Sequence, residues 1–256
     1  ALVLFVCGNK DFLGIIPEKL SIALAFIIIA VWWLLVTVPL LKNYQQKYYV
    51  ENNGSKLSES FSRLGKTIKN MYHNEKKVFF FLIAFFFYID GVYTIIDEAV
   101  AIGTALGLNQ VGLLVILLLT QVVAFAFATL FGKLSNKYSS TSLIMVCIFG
   151  YFAVAIYALF MQSLWQFGIM AFVVGMFQGA IQALSRSYYA QIIPANASGE
   201  YFGIYDICGK GAAFMGTTLV GITVSLTNSI NVAVATLGIL FVFGIFFFRK
   251  AIKIER

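Results

Sequence analysis

Apolar residues in this chain come in uninterrupted blocks of about 20, and block length decides what such a chain can become. One block contains "IALAFIIIAVWWLLV" at residues 22–36. A helix rises about 1.5 Å per residue, so about 20 residues cross the ~30 Å hydrocarbon layer of a bilayer. The blocks fall near 1–7, 19–41, 78–106, 110–131, 141–161, 165–185, 201–225 and 230–248, which is seven full spans and one stub. Strands of a membrane barrel alternate apolar and polar residues, and these blocks do not. Composition agrees: the chain is 61% hydrophobic and 11% charged, whereas a soluble domain is roughly half apolar and a quarter charged. The expected fold is an all-α, multi-pass membrane protein surrounded by lipid. The chain opens inside an apolar run, so "ALVLFVC" reads as the end of a helix whose beginning is missing, and the sequence reads as a fragment.

The formal charge of +7 does not point to nucleic acid, because the basic residues sit in the gaps between blocks. Residues 42–77 hold eight Lys or Arg, the turn "GKLSNKYSS" holds Lys133 and Lys137, the 185–200 connection holds Arg186, and the tail holds Arg249, Lys250, Lys253 and Arg256. The alternate gaps near 107–110, 162–164 and 226–229 hold none. Every basic connection falls on one side, so the positive-inside rule makes 42–77 and the C-terminus cytoplasmic. The Asn-x-Ser sequons at Asn53 and Asn196 lie on that side and read as chance matches. Cys7, Cys147 and Cys208 are isolated among apolar neighbours and read as small buried hydrophobes. His73 is the one histidine, so no His-rich metal site is expected.

Within 42–77, "SKLSESFSRLGKTIKNMY" repeats Leu57, Phe61, Leu64, Ile68 and Met71 at helical spacing, with basic residues on the other faces. Ser55 is placed to cap it. The pattern suits a basic amphipathic helix on the membrane surface, or a helix that binds a regulatory protein. The organisation is then 1–41, the end of one transmembrane bundle; 42–77, a cytoplasmic linker; and 78–256, a six-helix bundle.

No H-E-x-x-H, G-x-S-x-G or G-x-x-x-x-G-K-[ST] motif is present, so neither hydrolysis nor ATP use is supported and no cofactor is implied. What remains are polar residues inside spans, which are costly there and face a bundle interior or a water-filled path. In "FFFYIDGVYTIIDEAV", Asp90 lies 12 residues past Val78, about 18 Å into the membrane. Asp97 is on nearly the same stripe but close to the outer surface, with Tyr93 and Thr94 between them. Gly91 is expected to loosen the helix beside Asp90. Asp90 is either the functional carboxylate of a central cavity, taking up a proton or meeting a cationic solute group, or a packing residue; Asp97 and Glu98 are either a relay or interfacial. Asp206 and Lys210 are four apart and can pair on one helix face, as an internal ion pair or as solute contacts. Gln178 and Gln182 can serve packing or solute contact, while Gly175 and Gly179 form a G-x-x-x-G suited to close helix packing. Arg186 reads as an anchor at the cytoplasmic end of its span.

"GKLSNKY" at 132–138 resembles a degenerate form of the loop motif of the major facilitator superfamily, with Asn136 in place of its aspartate. "FYIDGVYTII" at 87–96, "QGAIQALSRSYYAQIIP" at 178–194 and "SGEYFGIYDICGKGAA" at 198–213 together resemble one branch of it. That branch is the vacuole-effluxer family related to autophagy-related protein 22. The resemblance covers essentially the whole chain and matches the second half of such a transporter. It implies two six-helix bundles working by alternating access, with the missing N-terminal half as partner and a small solute as cargo. Fungal members are similar to amino-acid effluxers of the vacuole; a bacterial member would sit in the plasma membrane. A non-transporting sensor or scaffold on the same fold is the alternative, and an intramembrane enzyme lacks any paired catalytic motif.

In such a fold the path runs between bundles, so one bundle supplies one wall. Residues 1–256 reconstituted in liposomes are therefore expected to give no solute flux above empty vesicles. Specific, saturable flux from this chain alone would overturn that expectation.

Overall fold

The computed structural model describes residues 18–45 and 57–254. The stub 1–7, Cys7, the sequon at Asn53, the cap Ser55 and Arg256 lie outside the described residues. The chain divides between Val50 and Glu51. The described part of the first unit is helix α1, Glu18–Asn43. Its apolar residues from Phe26 to Leu41, Trp32 and Trp33 among them, are exposed, as suits a helix whose solvent is lipid.

The second unit begins with α2 (Leu57–Asn74), α3 (Lys76–Asp97), α4 (Ala99–Ala105) and α5 (Gln110–Leu134). It continues with α6 (Ser140–Tyr157), α7 (Leu164–Ile192), α8 (Ser198–Gly211), α9 (Phe214–Thr227), α10 (Ile230–Thr236) and α11 (Gly238–Lys253). Seven segments among the described residues are long and apolar enough to cross a membrane: one in α1 and six in the second unit. The all-α membrane fold read from block length is the one observed. Side chains start several helices: Asn109 Oδ1 accepts from the Gly112 amide at 3.0 Å, Ser139 Oγ from Ser142 at 3.3 Å, and Ser163 with Gln166 closes a capping box.

Helix α3 is the axis of the bundle. Of its spanning segment 61% is buried, against 11% for that of α5. Apolarity does not explain the difference, since the span of α5 is the more apolar, with mean hydropathy 2.6 against 2.1; the Phe-rich sequence of α3 suits the middle of a bundle. Phe81, Phe85, Tyr88 and Ile89 are all at most 2% exposed. Tyr88 and Ser185 hydroxyls meet at 2.7 Å and tie α3 to α7 inside the core.

Helix continuity differs from expectation at several points: the 78–106 block is interrupted at Glu98 and the 230–248 block at Leu237. The 201–225 block is two helices, with Ala213 between them at φ +74°, a left-handed backbone that costs an alanine about 1 kcal/mol or more. The signal was present in "GKGAAFMG", where Gly209, Gly211 and Gly216 lower helix propensity together. Gly91, expected to loosen α3, lies within continuous helix. A Cβ there would stand 2.7 Å from Phe241 Cζ, so Gly91 admits an aromatic ring from α11.

Helix α2 buries Thr67 and Met71 against the bundle and leaves Phe61, Ile68 and Tyr72 exposed. Thr67 Oγ1 donates to Glu200 Oε2 at 2.8 Å, which joins α2 to the start of α8. The amphipathic pattern thus has one apolar side on protein and a second uncovered.

The G-x-x-x-G of α7 packs on α5. A Cβ at Gly175 would lie 2.9 Å from the Thr120 carbonyl oxygen, and one at Gly179 would lie 3.0 Å from Ala128 Cβ. Backbone cannot give way as a side chain can, so Gly175→Ala is expected to destabilise the bundle by about 1–3 kcal/mol. Gly168, on the same helix, would meet only Ile116 Cδ1 at 3.7 Å, so Gly168→Ala should be neutral or stabilising by up to about 1 kcal/mol. Thermal unfolding in detergent separates the two; equal melting temperatures would show that α5 and α7 do not approach this closely.

Candidate functional site

A cleft of about 730 Å³ opens along the second unit. Helix α3 contributes Phe85, Ile89, Tyr93 and Asp97, four residues apart and hence one row along the helix. Helix α7 contributes Gly179, Gln182, Ala183 and Arg186. Helix α8 contributes Tyr205, Asp206, Gly209 and Lys210, and the break after it adds Ala212 and Ala213.

The aromatic part of the wall is fixed. Tyr205 stacks on Phe85 with ring centroids 4.1 Å apart and on Tyr189 at 4.9 Å. The Tyr189 hydroxyl donates to the Tyr201 carbonyl at 2.9 Å, which joins α7 to α8. The charged part is looser. Arg186 Nη1 stands 3.7 Å from Asp206 Oδ1, with the side chains 62% and 47% exposed. That is an ionic contact beyond hydrogen-bond reach. The guanidinium also lies 5.2 Å from the Phe202 ring centroid. Asp97 and Lys210 are exposed on the same cleft. Both signs of charge therefore face one space, beside the polar heads of Tyr93 and Gln182.

Of the residues singled out in the sequence, Tyr93, Asp97, Gln182, Asp206 and Lys210 come together here. Gln178 lines a separate void of about 30 Å³, with Thr120 and Gln121 of α5. Asp90 and Thr94 are 0% exposed and absent from the cleft lining. Both Asp90 oxygens accept from the Gly216 amide, at 3.0 and 3.2 Å. The stripe that Asp90 shares with Asp97 is covered by the first turn of α9 at Asp90 and open at Asp97, so spacing along α3 could not separate them.

Asp206 also has a different partner from the expected one: the ion pair recorded is with Arg186, across helices, and not with Lys210. Lys210 occupies the last turn of α8, where the carbonyl end of the helix favours a cation. Arg186, expected as an anchor at the end of its span, faces the cleft. Helix α7 runs on to Ile192, which sets Arg186 about 9 Å inside it. Ending the span at the first charge hid this, although Tyr188 and Tyr189 just beyond are suited to a core. Among the described residues no three His, Cys, Asp or Glu side chains gather as metal ligands.

A bundle of apolar helices around a cleft that carries charges of both signs defines a multi-pass membrane protein. The profile of the family described as "Vacuole effluxer Atg22 like" matches residues 2–256, and the chain belongs to that family. The family read from residues 87–96, 178–194 and 198–213 is thus the correct one. The chain is 44% identical over 232 residues to a Bacillus subtilis protein named "Uncharacterized MFS-type transporter YxiO", covering 90% of this chain and 54% of that protein. It is 24% identical over 244 residues to autophagy-related protein 22-1 of Aspergillus niger, covering 86% of this chain and 40% of that one. A match of 26% over 251 residues links it to autophagy-related protein 22-2 of Sclerotinia sclerotiorum, over 86% and 37% of the two chains. The chain spans about half or less of the length of these relatives. No solved structure matches it.

A long contact between half-exposed ions contributes little. A double-mutant cycle on thermal unfolding with Arg186→Gln and Asp206→Asn is expected to give a coupling below about 1 kcal/mol. The cycle joining Asp206→Asn and Lys210→Gln should give about zero. A larger coupling to Lys210 than to Arg186 would reinstate the pair within α8.

Proposed function

We propose that this chain is the second bundle, with the end of the first, of a secondary active transporter that moves small zwitterionic solutes, amino acids among them, by alternating access. One observation carries the reading: Arg186, Lys210, Asp206 and Asp97 share one cleft in a membrane-spanning bundle. Exposed charges inside a span face water or further protein, since lipid would penalise each by about 2.5 kcal/mol or more. In this reading the cleft is one wall of the path and the missing N-terminal bundle is the other.

Arg186 or Lys210 receives the carboxylate of the solute, Asp206 or Asp97 its ammonium group, and Tyr93 and Gln182 orient it. The 3.7 Å separation of Arg186 and Asp206 suits this role, because weakly engaged ions give up little when a solute parts them. The aromatic stack behind them supplies a firm surface. The basic ends of the helices face the cytoplasm, and the word "effluxer" in the family's description supports export.

The test is flux through the full-length protein in proteoliposomes, with an imposed proton gradient and a panel of amino acids. Saturable, gradient-dependent flux is expected. Arg186→Gln and Asp206→Asn should each raise KM for a zwitterion at least about tenfold, equivalent to ~1.4 kcal/mol. Solute binding without flux would favour a sensor, and neither binding nor flux across the panel would remove the amino-acid reading.

A further inference from the structure

We infer that Asp90 is a positioning residue: it pins the first turn of α9 to the middle of α3 and so sets the rim of the cleft where α8 ends. The inference deepens the transport reading and rests on it for its flux measurement only.

Asp90 lies in α3, within a turn of two cleft-lining residues of the same helix, Ile89 and Tyr93. One side of the helix thus lines the cleft while the adjacent side meets α9. The Asp90 carboxylate accepts from the amide of Gly216, the third residue of α9. Amides in the first turn of a helix have no partner within it, and in a membrane interior water does not supply one. A carboxylate there also suits the positive end of the helix dipole. This is the job of an N-cap side chain, done from 126 residues away.

The local sequence leaves the task to Asp90. The residue at the cap position is Ala213, which offers no side-chain hydrogen bond. It holds φ +74° and turns the chain sharply between α8 and α9. Gly216 is what lets the carboxylate reach the amide. A Cβ there would overlap Thr94 Oγ1 and lie 3.0 Å from Asp90 Oδ1. Ala212 and Ala213 line the cleft, and Lys210 lies just before them. The pin therefore holds the broken helix in register with Tyr93 and Asp97 across the cleft.

This role needs an acceptor oxygen and not an ionisable group, which separates it from proton carriage. In the full-length protein, Asp90→Asn keeps an acceptor oxygen and Asp90→Ala does not. Deuterium exchange of peptides covering residues 212–218 is expected to quicken about tenfold in Asp90→Ala, in line with the loss of a helix cap. In Asp90→Asn it should stay within about threefold of wild type, and peptides of α5 should not change in either variant. Gradient-driven flux should persist in Asp90→Asn, while Asp90→Ala raises KM about fivefold or more with a smaller change in maximal rate. Unchanged exchange in Asp90→Ala overturns the pin. Loss of gradient-driven flux in Asp90→Asn with exchange intact overturns it too, since ionisation would then be the function. If Asp90→Ala does not fold, Asp90→Asn decides alone: intact exchange and flux support the pin, and loss of either sinks it. A wild-type protein without flux would defeat the transport reading, and the exchange measurement would still judge the pin.

Discussion

Inside a bilayer a helix can stop only where something answers its exposed backbone groups. That constraint organises the second unit. Most of its helices run to the ends of the bundle, where Asn109, Ser139 and Ser163 cap them in a polar setting. Between α8 and α9 the chain stops in mid-span, and a side chain from α3 is recruited instead, through Asp90 to Gly216. A continuous helix would present one unbroken row of side chains, whereas the break places Ala212 and Ala213 in the cleft lining.

The cleft combines two kinds of surface with different physical behaviour. Phe85, Tyr189 and Tyr205 form a stack across α3, α7 and α8, and aromatic rings packed in this way have few alternative positions. The ions beside them, Arg186 and Asp206, are about half exposed and loosely engaged. A solute would meet a shape set by rings and a charge pattern that can adjust. The outer surface of the bundle is the reverse: Val122, Phe125 and Leu119 of α5 are exposed and apolar, which suits lipid and offers nothing to a polar solute.

Where helices would form was legible because hydrophobic block length and the basic gaps are properties of the chain alone. Which helix side would be covered was not. Asp90 and Asp97 share a stripe by spacing, and only the arrival of α9 from 126 residues away separates them. At Arg186 the apolar block ends but the helix does not, since α7 continues to Ile192. The break in α8–α9 left a real trace in Gly209, Gly211 and Gly216. Gly91, expected to loosen its helix, has no side chain so that Phe241 can approach. A glycine reports that something comes close or that the backbone turns, and the sequence around it does not say which.

The same logic joins α2 to the cleft. Thr67 donates to Glu200 and Asn70 meets the Tyr201 hydroxyl at 3.5 Å, both in the first turn of α8. Asp206 follows Glu200 by six residues, about 9 Å along the helix. Helix α8 is thus tied near its start by side chains of α2 and ends at a break whose far side is held by α3. Its ions face the cleft from a segment that no uninterrupted helix carries across the membrane. The amphipathic segment that leads into the bundle is therefore part of what positions the cleft wall, because the bonds of Thr67 and Asn70 end on the helix that bears Asp206 and Lys210.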